Sequence, residues 1–351
     1  MNYEPSSILI IKLSAIGDVV HSLPLLSVLR GNYPLARIDW LVEEEASKII
    51  EGHPGLNRVL ISRRKSWFRR FMKGTEHSKV TREVREFLGE LRNCEYDLVI
   101  DLQGLFKSGV LTGLSRGKRK IGMDGAREGG RFFLNERPVP VDYDQHAIDR
   151  YLKMADYLKC RHISWRGDIP LSEAHKRGMN ELVNLEGAGQ RPIIAINPMA
   201  RWKTKLWEPD RFASLADRIH DDLSYEVVFT GSNGDRKAIE GVIDKMKSRP
   251  LNLAGRTSLK EVAYLYTRCK ALITTDTGPM HIAAAMKCRV VALFGPTAPW
   301  RTGPYGQRHE VIRADVECSP CFKKSCSHMK CMEEIGVEQV FEAVRNMVTQ
   351  T

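Results

Sequence analysis

Short apolar runs alternate with longer amphipathic stretches along most of the chain, and this alternation is the first guide to its fold. Runs of three to five mainly apolar residues predict buried strands, whereas the stretches between them carry apolar residues at helical spacing. The predicted strands lie at 8–11, 38–42, 98–100, 192–196, 227–229, 251–253, 271–274 and 290–294. Strands that alternate with helices form parallel sheets, so the pattern predicts a doubly wound α/β fold.

The alternation fades between residues 171 and 190 and then restarts, which predicts two domains. A chain of 351 residues is long enough to give each domain its own core. We predict an N-terminal Rossmann-like domain, a linker, a C-terminal Rossmann-like domain and a closing helix, at 1–175, 176–191, 192–334 and 335–351. The cleft between two such domains is the default position for a binding site.

The most informative segment runs from Ile273 to His281. An apolar strand stops at the turn Asp276-Thr277-Gly278, and small residues then begin a helix whose first N–H groups lack helical partners. Gly278 allows close backbone approach, while Thr277 and His281 can add side-chain donors. Because the helix dipole also favours negative charge, the segment suits a diphosphate. Taken alone, an ordinary strand–turn–helix connection capped by Asp276 explains it equally well.

Loops after other predicted strands of the C-terminal domain offer further partners for a nucleotide. Lys205 lies in a cation-rich loop, where an ammonium group can neutralise a phosphate. Asp235 can accept from a ribose hydroxyl, and Thr257 can line an adenine pocket. A solvated basic loop and ordinary turn residues are the structural alternatives. The convergence of several strand-end loops on the same chemistry favours nucleotide binding.

Asp18 is the candidate catalytic residue of the N-terminal domain. It lies at a helix start behind the first predicted strand, where open α/β sheets bind their ligands. The preceding turn contains one glycine, Gly17, and so falls short of a dinucleotide fingerprint. Asp18 can take a proton from an attacking hydroxyl, or it can simply stabilise the helix dipole. Considered alone, Asp18 fits the structural role better.

Composition and charge restrict location and partners. Apolar residues make up 42% of the sequence and charged residues 28%, as in ordinary globular proteins. No apolar run reaches the length of a membrane span, and the N-terminus does not look like a signal peptide, so we expect a cytoplasmic protein. The formal net charge of +11 leaves nucleic acid, anionic lipid and phosphorylated glycans as candidate partners.

Basic residues are concentrated in the N-terminal domain, at 58–73 and 116–131. The first run contains Arg63, Arg64 and Lys65, is interrupted by aromatic residues and has no acid. Such a run is as often an ordinary solvated face. Because no RNA-binding motif accompanies it, a membrane surface or a polyanionic acceptor fits better than nucleic acid.

Four cysteines form a cluster with the spacing C-x2-C-x4-C-x4-C, namely Cys318, Cys321, Cys326 and Cys331. Four thiolates at such spacing can hold a structural zinc ion in a closed tetrahedral shell. The alternative is a set of reduced thiols in a cytoplasmic enzyme.

Together these residues resemble glycosyltransferase family 9, the heptosyltransferases of lipopolysaccharide core synthesis, and especially its first heptosyltransferases. The resemblance runs nearly end to end. The segments that carry it are 12–24, 63–65, 101–108, 122–128, 205–207, 276–281 and 295–297. Two features depart from first heptosyltransferases: Ala200-Arg201 replaces a pair of small hydroxyl residues, and the cysteine cluster is typical of other branches of the family.

The resemblance implies a GT-B fold, ADP-L-glycero-D-manno-heptose as donor, inversion at the anomeric carbon, and no cofactor or metal requirement. By position, Asp18 matches the family's proposed catalytic base. The residues that match its donor-binding positions are Lys205, Asp235, Thr257, Asp276, Thr277, Gly278 and His281. The residues that match its acceptor-binding cations are Arg63, Arg64 and Arg127.

We therefore expect a monomeric enzyme that acts on Kdo–lipid A at the inner face of the inner membrane, with no nucleic-acid partner. One alternative is a second heptosyltransferase or another family 9 enzyme with a different sugar or acceptor. Another is a non-catalytic sugar-binding relative, but retention of Asp18 together with the nucleotide loops argues against it.

Overall fold

The chain folds into two compact units, Met1–Pro170 and Leu171–Thr351. The computed structural model describes residues 4–74, 76–161, 163–164, 166–185 and 191–349. Each unit is built around its own all-parallel sheet with helical crossovers between strands, which confirms the doubly wound α/β prediction for both halves. None of the described helices is long and apolar enough to cross a membrane.

The first unit has the strand order β3-β2-β1-β4-β5. Its elements are β1 (Ser7–Ile11), α1 (Ile16–Asn32), β2 (Arg37–Glu43), α2 (Glu44–Ile50), β3 (Arg58–Ser62), α3 (Arg64–Met72), α4 (His77–Arg92), β4 (Glu95–Asp101), α5 (Phe106–Leu114), β5 (Arg116–Gly122) and α6 (Ala147–Tyr157). The central strand β1 is buried along its whole length, as expected of a strand covered on both faces. The strand order reverses between β1 and β4, so the loops after these two strands flank the position where such sheets bind ligands.

The second unit has the strand order β11-β10-β9-β6-β7-β8. Its elements are α7 (Glu173–Leu185), β6 (Ile193–Asn197), α8 (Pro209–Leu223), β7 (Glu226–Phe229), α9 (Arg236–Ile243), β8 (Leu251–Asn252), α10 (Leu259–Arg268), β9 (Cys269–Thr275), α11 (Gly278–Ala285), β10 (Val290–Phe294), α12 (Pro299–Thr302), β11 (His309–Arg313), α13 (Lys330–Glu333) and α14 (Val337–Thr349). Here the order reverses between β6 and β9, and the loops after these strands flank the corresponding position.

The predicted closing helix is present as α14, and it completes the core of the second unit. Val340, Phe341 and Val344 are buried in one cluster with residues of α8 and the central strands. Arg218 of α8 lies 3.8 Å from the ring centroid of Phe341 and also pairs with Glu338. Burial of each large aliphatic or aromatic side chain contributes roughly 1.5–3 kcal/mol, so α14 is integral to this unit.

The predicted domain boundaries need correction. The first unit ends at Pro170 rather than at residue 175, and residues 176–185 of the predicted linker belong to the helix α7. The helix carries its apolar residues Met179 and Val183 into the interior, which a flexible linker would not do. Residues 186–190, the glycine-containing part of the predicted linker, lie outside the described residues.

The second basic run of the sequence contains a strand that the apolar pattern did not predict. Residues 116–122 form β5 at the edge of the first sheet. Its cations are engaged by neighbouring groups: Lys118 donates to Asp97 at 2.8 Å, Arg119 pairs with Glu136, and Lys120 donates to a backbone carbonyl. This part of the positive charge therefore supports the sheet edge.

Asp97 ties together three strands of the first sheet. Its Oδ2 accepts from the N–H and the hydroxyl of Ser6 at 2.9 and 2.6 Å, beside the start of β1. Its Oδ1 accepts from Lys118 of β5. The bond from Lys118 and those from Ser6 hold the pKa of Asp97 well below its usual range.

We predict that Asp97→Asn lowers the free energy of unfolding of the first unit by about 1–2 kcal/mol at pH 7, because charge-assisted hydrogen bonds are lost. Since the folded-state pKa is depressed, this stabilisation is complete above the unfolded pKa of about 3.9 and is lost as the pH falls through the folded value. The difference in thermal stability between the two proteins should therefore stay constant from pH 7 to about pH 4 and begin to narrow below that pH. Glu95→Gln is the matched control, because the side chain of Glu95 forms an exposed pair with Arg116 on the same two strands. An equal loss in the control would contradict the role given to Asp97.

Candidate functional site

In the first unit, the loops after β1 and β4 are bonded to each other at the reversal of strand order. The N–H groups of Leu13 and Ser14 donate to Oε1 of Gln103 at 3.2 and 3.0 Å. The ammonium group of Lys12 donates to the carbonyl of Leu102 at 3.1 Å. These bonds fix the backbone that leads into α1, where the predicted base lies.

Asp18 lies in the first turn of α1 and is partly open to solvent. Its Oδ2 accepts from the N–H of Ala15 at 3.1 Å, so Asp18 caps the first turn of the helix. Within the described residues, its Oδ1 makes no hydrogen bond, and the side chain is 39% exposed. The capping role therefore leaves one carboxylate oxygen available to another group.

Lys12 is the buried cation behind Asp18. Its Nζ lies 4.0 Å from Oδ2 of Asp18 and 5.0 Å from the ring centroid of Tyr151. Burial alone would lower the pKa of Lys12, but the charge of Asp18 and the contact with Tyr151 outweigh burial and raise that pKa above its ordinary value. Lys12 is thus a cation at neutral pH. Nothing in the sequence indicated that Lys12 lies against Asp18 and Tyr151.

A buried carboxylate, Glu43, organises the cations at the same edge of the sheet. It lies at the end of β2 and is 3% exposed. Lys107 of α5 bridges Glu43 and the hydroxyl of Ser14, at 3.0 and 2.9 Å. Arg64 and Lys65 lie 3.3 and 3.2 Å from Glu43. Burial raises the pKa of Glu43, but Lys107 and Lys65 outweigh it, so the pKa lies below its ordinary value.

The three predicted acceptor-binding cations lie in loops or helix starts that follow the carboxyl ends of the strands. Arg63 pairs with Glu44 at 3.0 Å, and Arg64 pairs with Glu43. Arg127 is exposed and follows β5, with its backbone N–H bonded to the carbonyl of Gly104 at 2.8 Å. The sequence suggested a run with no acid, but the structure supplies acids from residues 43–45, so Arg63 and Arg64 are paired cations.

In the second unit, two predicted donor-binding residues are in direct contact across the reversal of strand order. The ammonium group of Lys205, after β6, donates to Oδ2 of Asp276 at 2.5 Å and to its carbonyl at 3.3 Å. Thr297, after β10, donates to the same Oδ2 at 2.7 Å. Lys205 also lies 4.6 Å from the ring centroid of Trp202. The lysine is therefore held at a fixed position beside the end of β9.

The predicted strand–turn–helix segment is confirmed as β9, Asp276, Thr277 and α11. Thr277 is the N-cap, with extended backbone, and Gly278 is the first residue of the helix. His281 lies in the first turn and is buried, 8% exposed. Pro279 has no N–H and the N–H of Met280 donates to the carbonyl of Thr277, so the N–H of Gly278 is the backbone donor that this terminus offers beside Asp276 and Lys205.

The two remaining donor-binding candidates lie further along the same edge. Asp235 follows β7, and its Oδ2 accepts from the N–H and hydroxyl of Ser232 at 2.8 and 2.6 Å. Thr257 follows β8 and precedes the capping residue Ser258 of α10. Its hydroxyl oxygen is buried and has no hydrogen-bond partner among the described residues. A buried hydroxyl without a partner is costly, so Thr257 suits a ligand that supplies one.

The four cysteines of the cluster differ in exposure. Within the described ranges, no three side chains of histidine, cysteine, aspartate or glutamate are placed to hold a metal ion. Cys318 and Cys326 are exposed, whereas Cys331 is buried at the start of α13, and burial raises the pKa of its thiol. The charges of the neighbouring thiols Cys318, Cys321 and Cys326 also raise that pKa, and the zinc site and the reduced thiols both stay predictions.

The loop that carries these cysteines nevertheless lies against the Lys205 loop, which the sequence did not suggest. The carbonyl of Lys323 accepts from the hydroxyl of Thr204 at 2.9 Å, and Lys324 lies 5.3 Å from the ring centroid of Trp202. Two ammonium groups thus lie close to the ring of Trp202. The cation-rich composition of both loops was the available signal, but nothing in the sequence indicated that they meet.

Several known proteins are similar to this chain in sequence and in fold. The family model described as glycosyltransferase family 9 (heptosyltransferase) matches residues 84–332. The lipopolysaccharide heptosyltransferase 1 of Pseudomonas aeruginosa is 30% identical over 333 residues, which cover 93% of this chain and 89% of that protein. The lipopolysaccharide heptosyltransferase 2 of Salmonella typhimurium is 30% identical over 322 residues, 87% of each chain.

The solved structure of the E. coli ADP-heptose lps heptosyltransferase II is similar to both units, with a TM-score of 0.78 and 25% identity over 98% of this chain and 99% of that one. The family model covers well over half of the sequence, and the relatives align over nearly its whole length. The chain therefore belongs to glycosyltransferase family 9, the heptosyltransferases, and is a glycosyltransferase.

Proposed function

We propose that this enzyme transfers heptose from ADP-L-glycero-D-manno-heptose to a Kdo–lipid A type acceptor in the synthesis of the lipopolysaccharide inner core. The observation that carries the proposal is that each unit holds oriented polar side chains at the edge of its sheet where the strands end. One holds a partly open carboxylate, Asp18, and the other holds a positioned cation, Lys205, beside a helix N-terminus. The names of the similar proteins support heptose as the sugar, ADP as the nucleotide and a lipopolysaccharide precursor as the acceptor.

The donor's diphosphate binds at the edge of the second unit. An ammonium group has three N–H donors, and Lys205 uses two of them on Asp276, so one remains for a phosphate oxygen. Thr277, Gly278 and His281 contribute donors from the start of α11, where the helix dipole also favours negative charge. These groups stabilise the charge that develops on the ADP leaving group as the bond to the sugar breaks.

The nucleoside extends along the same edge. The buried hydroxyl of Thr257, which lacks a protein partner among the described residues, pairs with a polar atom of the base. Asp235 keeps Oδ1 for a ribose hydroxyl, since its known hydrogen bonds use Oδ2. The contact of Thr257 is a neutral hydrogen bond, and that of Asp235 is a hydrogen bond to a single charge. Both are directional, so they contribute more to the orientation of the donor than to its affinity.

Asp18 acts as the general base on the acceptor. Its carboxylate takes the proton of the attacking hydroxyl while the hydroxyl oxygen bonds to the anomeric carbon, and the electron pair of the breaking bond leaves with the phosphate oxygen of ADP. Attack from the face opposite ADP inverts the anomeric carbon. The bond from Ala15 to Oδ2 and the ammonium group of Lys12 hold the carboxylate in position.

The anionic groups of the acceptor bind the cationic edge of the first unit. Arg63, Arg64 and Arg127 offer guanidinium groups to phosphates and sugar acids, and acceptor anions compete with Glu43 and Glu44 for the first two. Such an acceptor is a membrane lipid, so we expect the enzyme to work as a monomer at the inner face of the inner membrane. Addition of the second heptose is the alternative, since the Salmonella heptosyltransferase 2 matches at the same identity as the Pseudomonas heptosyltransferase 1.

We predict that Asp18→Asn lowers kcat by roughly 10²–10⁴-fold, the usual contribution of general-base catalysis, with ADP affinity unchanged. Asparagine keeps an oxygen that can accept from the N–H of Ala15 but cannot take the proton. Transfer from ADP-heptose to purified acceptors and ADP binding by calorimetry are the measurements. Asp18→Ala, which also loses the cap, is the companion variant. If Asp18→Asn kept the wild-type rate and only Asp18→Ala lost it, Asp18 would be a helix cap and not the base.

We predict that Lys205→Met weakens ADP binding by roughly 10- to 100-fold, since a hydrogen bond to a charged group contributes about 1.5–3 kcal/mol. Lys203→Met is the matched control, because Lys203 is an exposed lysine of the same short helical turn. Titration calorimetry with ADP gives both dissociation constants. Equal losses in the two variants would mean that the loop acts through its net charge and that Lys205 has no specific contact.

We predict that Arg64→Gln raises the acceptor KM by about 2- to 10-fold and flattens its dependence on salt, with donor KM unaffected, because a half-exposed cation attracts anions over a Debye length of about 8 Å. Arg116→Gln is the control, since Arg116 is comparably exposed at the opposite end of the strands. Acceptor kinetics across a salt titration make the comparison. A salt dependence identical in Arg64→Gln and wild type would remove Arg64 from the acceptor site.

A further inference from the structure

An apolar groove lies between α3, α4 and α5 of the first unit and has no role in the chemistry described above. Its volume is about 530 Å³, within the range of small-molecule sites. Most of its lining comes from aliphatic and aromatic side chains, among them Val84 and Leu88 of α4 and Val110 of α5. Its polar lining residues are Ser62, Arg64 and Lys107, apart from the indole nitrogen of Trp67.

Two phenylalanines of α3 at this groove are exposed although the helix is firmly anchored. The indole N–H of Trp67 donates to Glu83 at 2.9 Å, and Arg70 pairs with the same carboxylate, which fixes α3 against α4. Phe68 and Phe71 of α3 are nevertheless 66% and 52% exposed. Clustered exposure of large apolar groups marks an interaction site in soluble proteins.

The groove is continuous with the cationic edge where the acceptor is proposed to bind. Arg64 and Lys107 line the groove, and both also bond to Glu43 at the end of β2. Lys107 in addition donates to Ser14, four residues before Asp18. A single molecule can therefore occupy the groove and reach the loop of the candidate base.

We propose that the groove binds an acyl chain of the acceptor, so that the enzyme takes an acylated, anionic amphiphile whose head group lies at the cationic edge. This inference rests on the proposed function. An acyl chain has no polar groups to satisfy, which matches a lining with few polar atoms, whereas an extended peptide needs partners for its backbone N–H and C=O groups. The anionic head group is complemented by exposed cations of α3 and of the residue after it, among them Arg69 and Lys73.

The consequence for substrate choice is large. Each methylene buried in such a groove changes affinity by roughly fourfold, so a chain that enters by only a few carbons improves acceptor binding by tenfold or more. The enzyme should then prefer an acylated acceptor over the deacylated molecule with the same head group, and the preference should appear in KM.

The test compares acylated and deacylated acceptors, below the concentration at which the lipid aggregates, with wild type and with Phe68→Ser/Phe71→Ser. Both positions are exposed, so the double variant should fold, and the single variants are available if it does not. Phe132→Ser is the matched control, because Phe132 is a 76% exposed phenylalanine of the same unit that does not line the groove. A fluorescent long-chain fatty acid provides a second readout that needs no transfer.

We expect the wild type and Phe132→Ser to favour the acylated acceptor at least tenfold in KM and to bind the fatty acid, and the double variant to lose both properties. A double variant that keeps the acyl preference would overturn the proposal. The proposal would also be overturned if the double variant lost only its binding to anionic vesicles and kept both the acyl preference and fatty-acid binding. The exposed phenylalanines would then contact a bilayer surface and not an acyl chain in the groove. If no acceptor is glycosylated by any variant, the proposed function fails, while fatty-acid binding still reports on the groove.

Discussion

The parallel alignment of strands is the constraint on which the rest of the molecule depends. All strands of a parallel sheet end at one edge, and their backbone groups are already paired within the sheet, so the chemistry must lie in the loops beyond that edge. In each unit the strand order reverses once, between β1 and β4 and between β6 and β9. In each unit, the chain leaves the two strands at the reversal toward opposite faces of the sheet. A space therefore opens between the loops that follow these two strands. The contacts of Lys12 with Leu102 and of Lys205 with Asp276 both span such a reversal.

The same electrostatic device recurs at both edges. Each edge places a cation against a carboxylate: Lys12 against Asp18, Lys107 against Glu43, and Lys205 against Asp276. Removal of charge from water is costly unless the charge is paired, so these pairs let the chain keep cations at its binding edges before any ligand arrives. A phosphate then meets a cation that is already oriented, and less conformational entropy is lost when it binds.

The sequence predicted most of this fold because most strands are continuous apolar runs. The strands it did not predict were β3, β5 and β11, and all three lie at sheet edges. β5 carries four basic residues and therefore looks like a basic patch, and the apolar run 59–61 of β3 lies between Arg58 and Arg63 of the first basic run. Asp18 and Lys205 could be named from their positions behind strands. Their partners could not, because Lys205 and Asp276 are 71 residues apart and Glu43 and Lys107 are 64 apart, and only the folded sheet brings them together.

The position of α14 has a consequence for biosynthesis. Its buried face, with Phe341 and Val344, fills the core beside α8, a helix that leaves the ribosome more than a hundred residues earlier. Domains generally fold as units during synthesis. The first unit can therefore close while the second is still being translated, but the second must wait with its α8 surface open until α14 emerges. If translation pauses or the chain is released before α14 is made, the first unit should be folded. The second unit should then expose apolar surface and be sensitive to proteases.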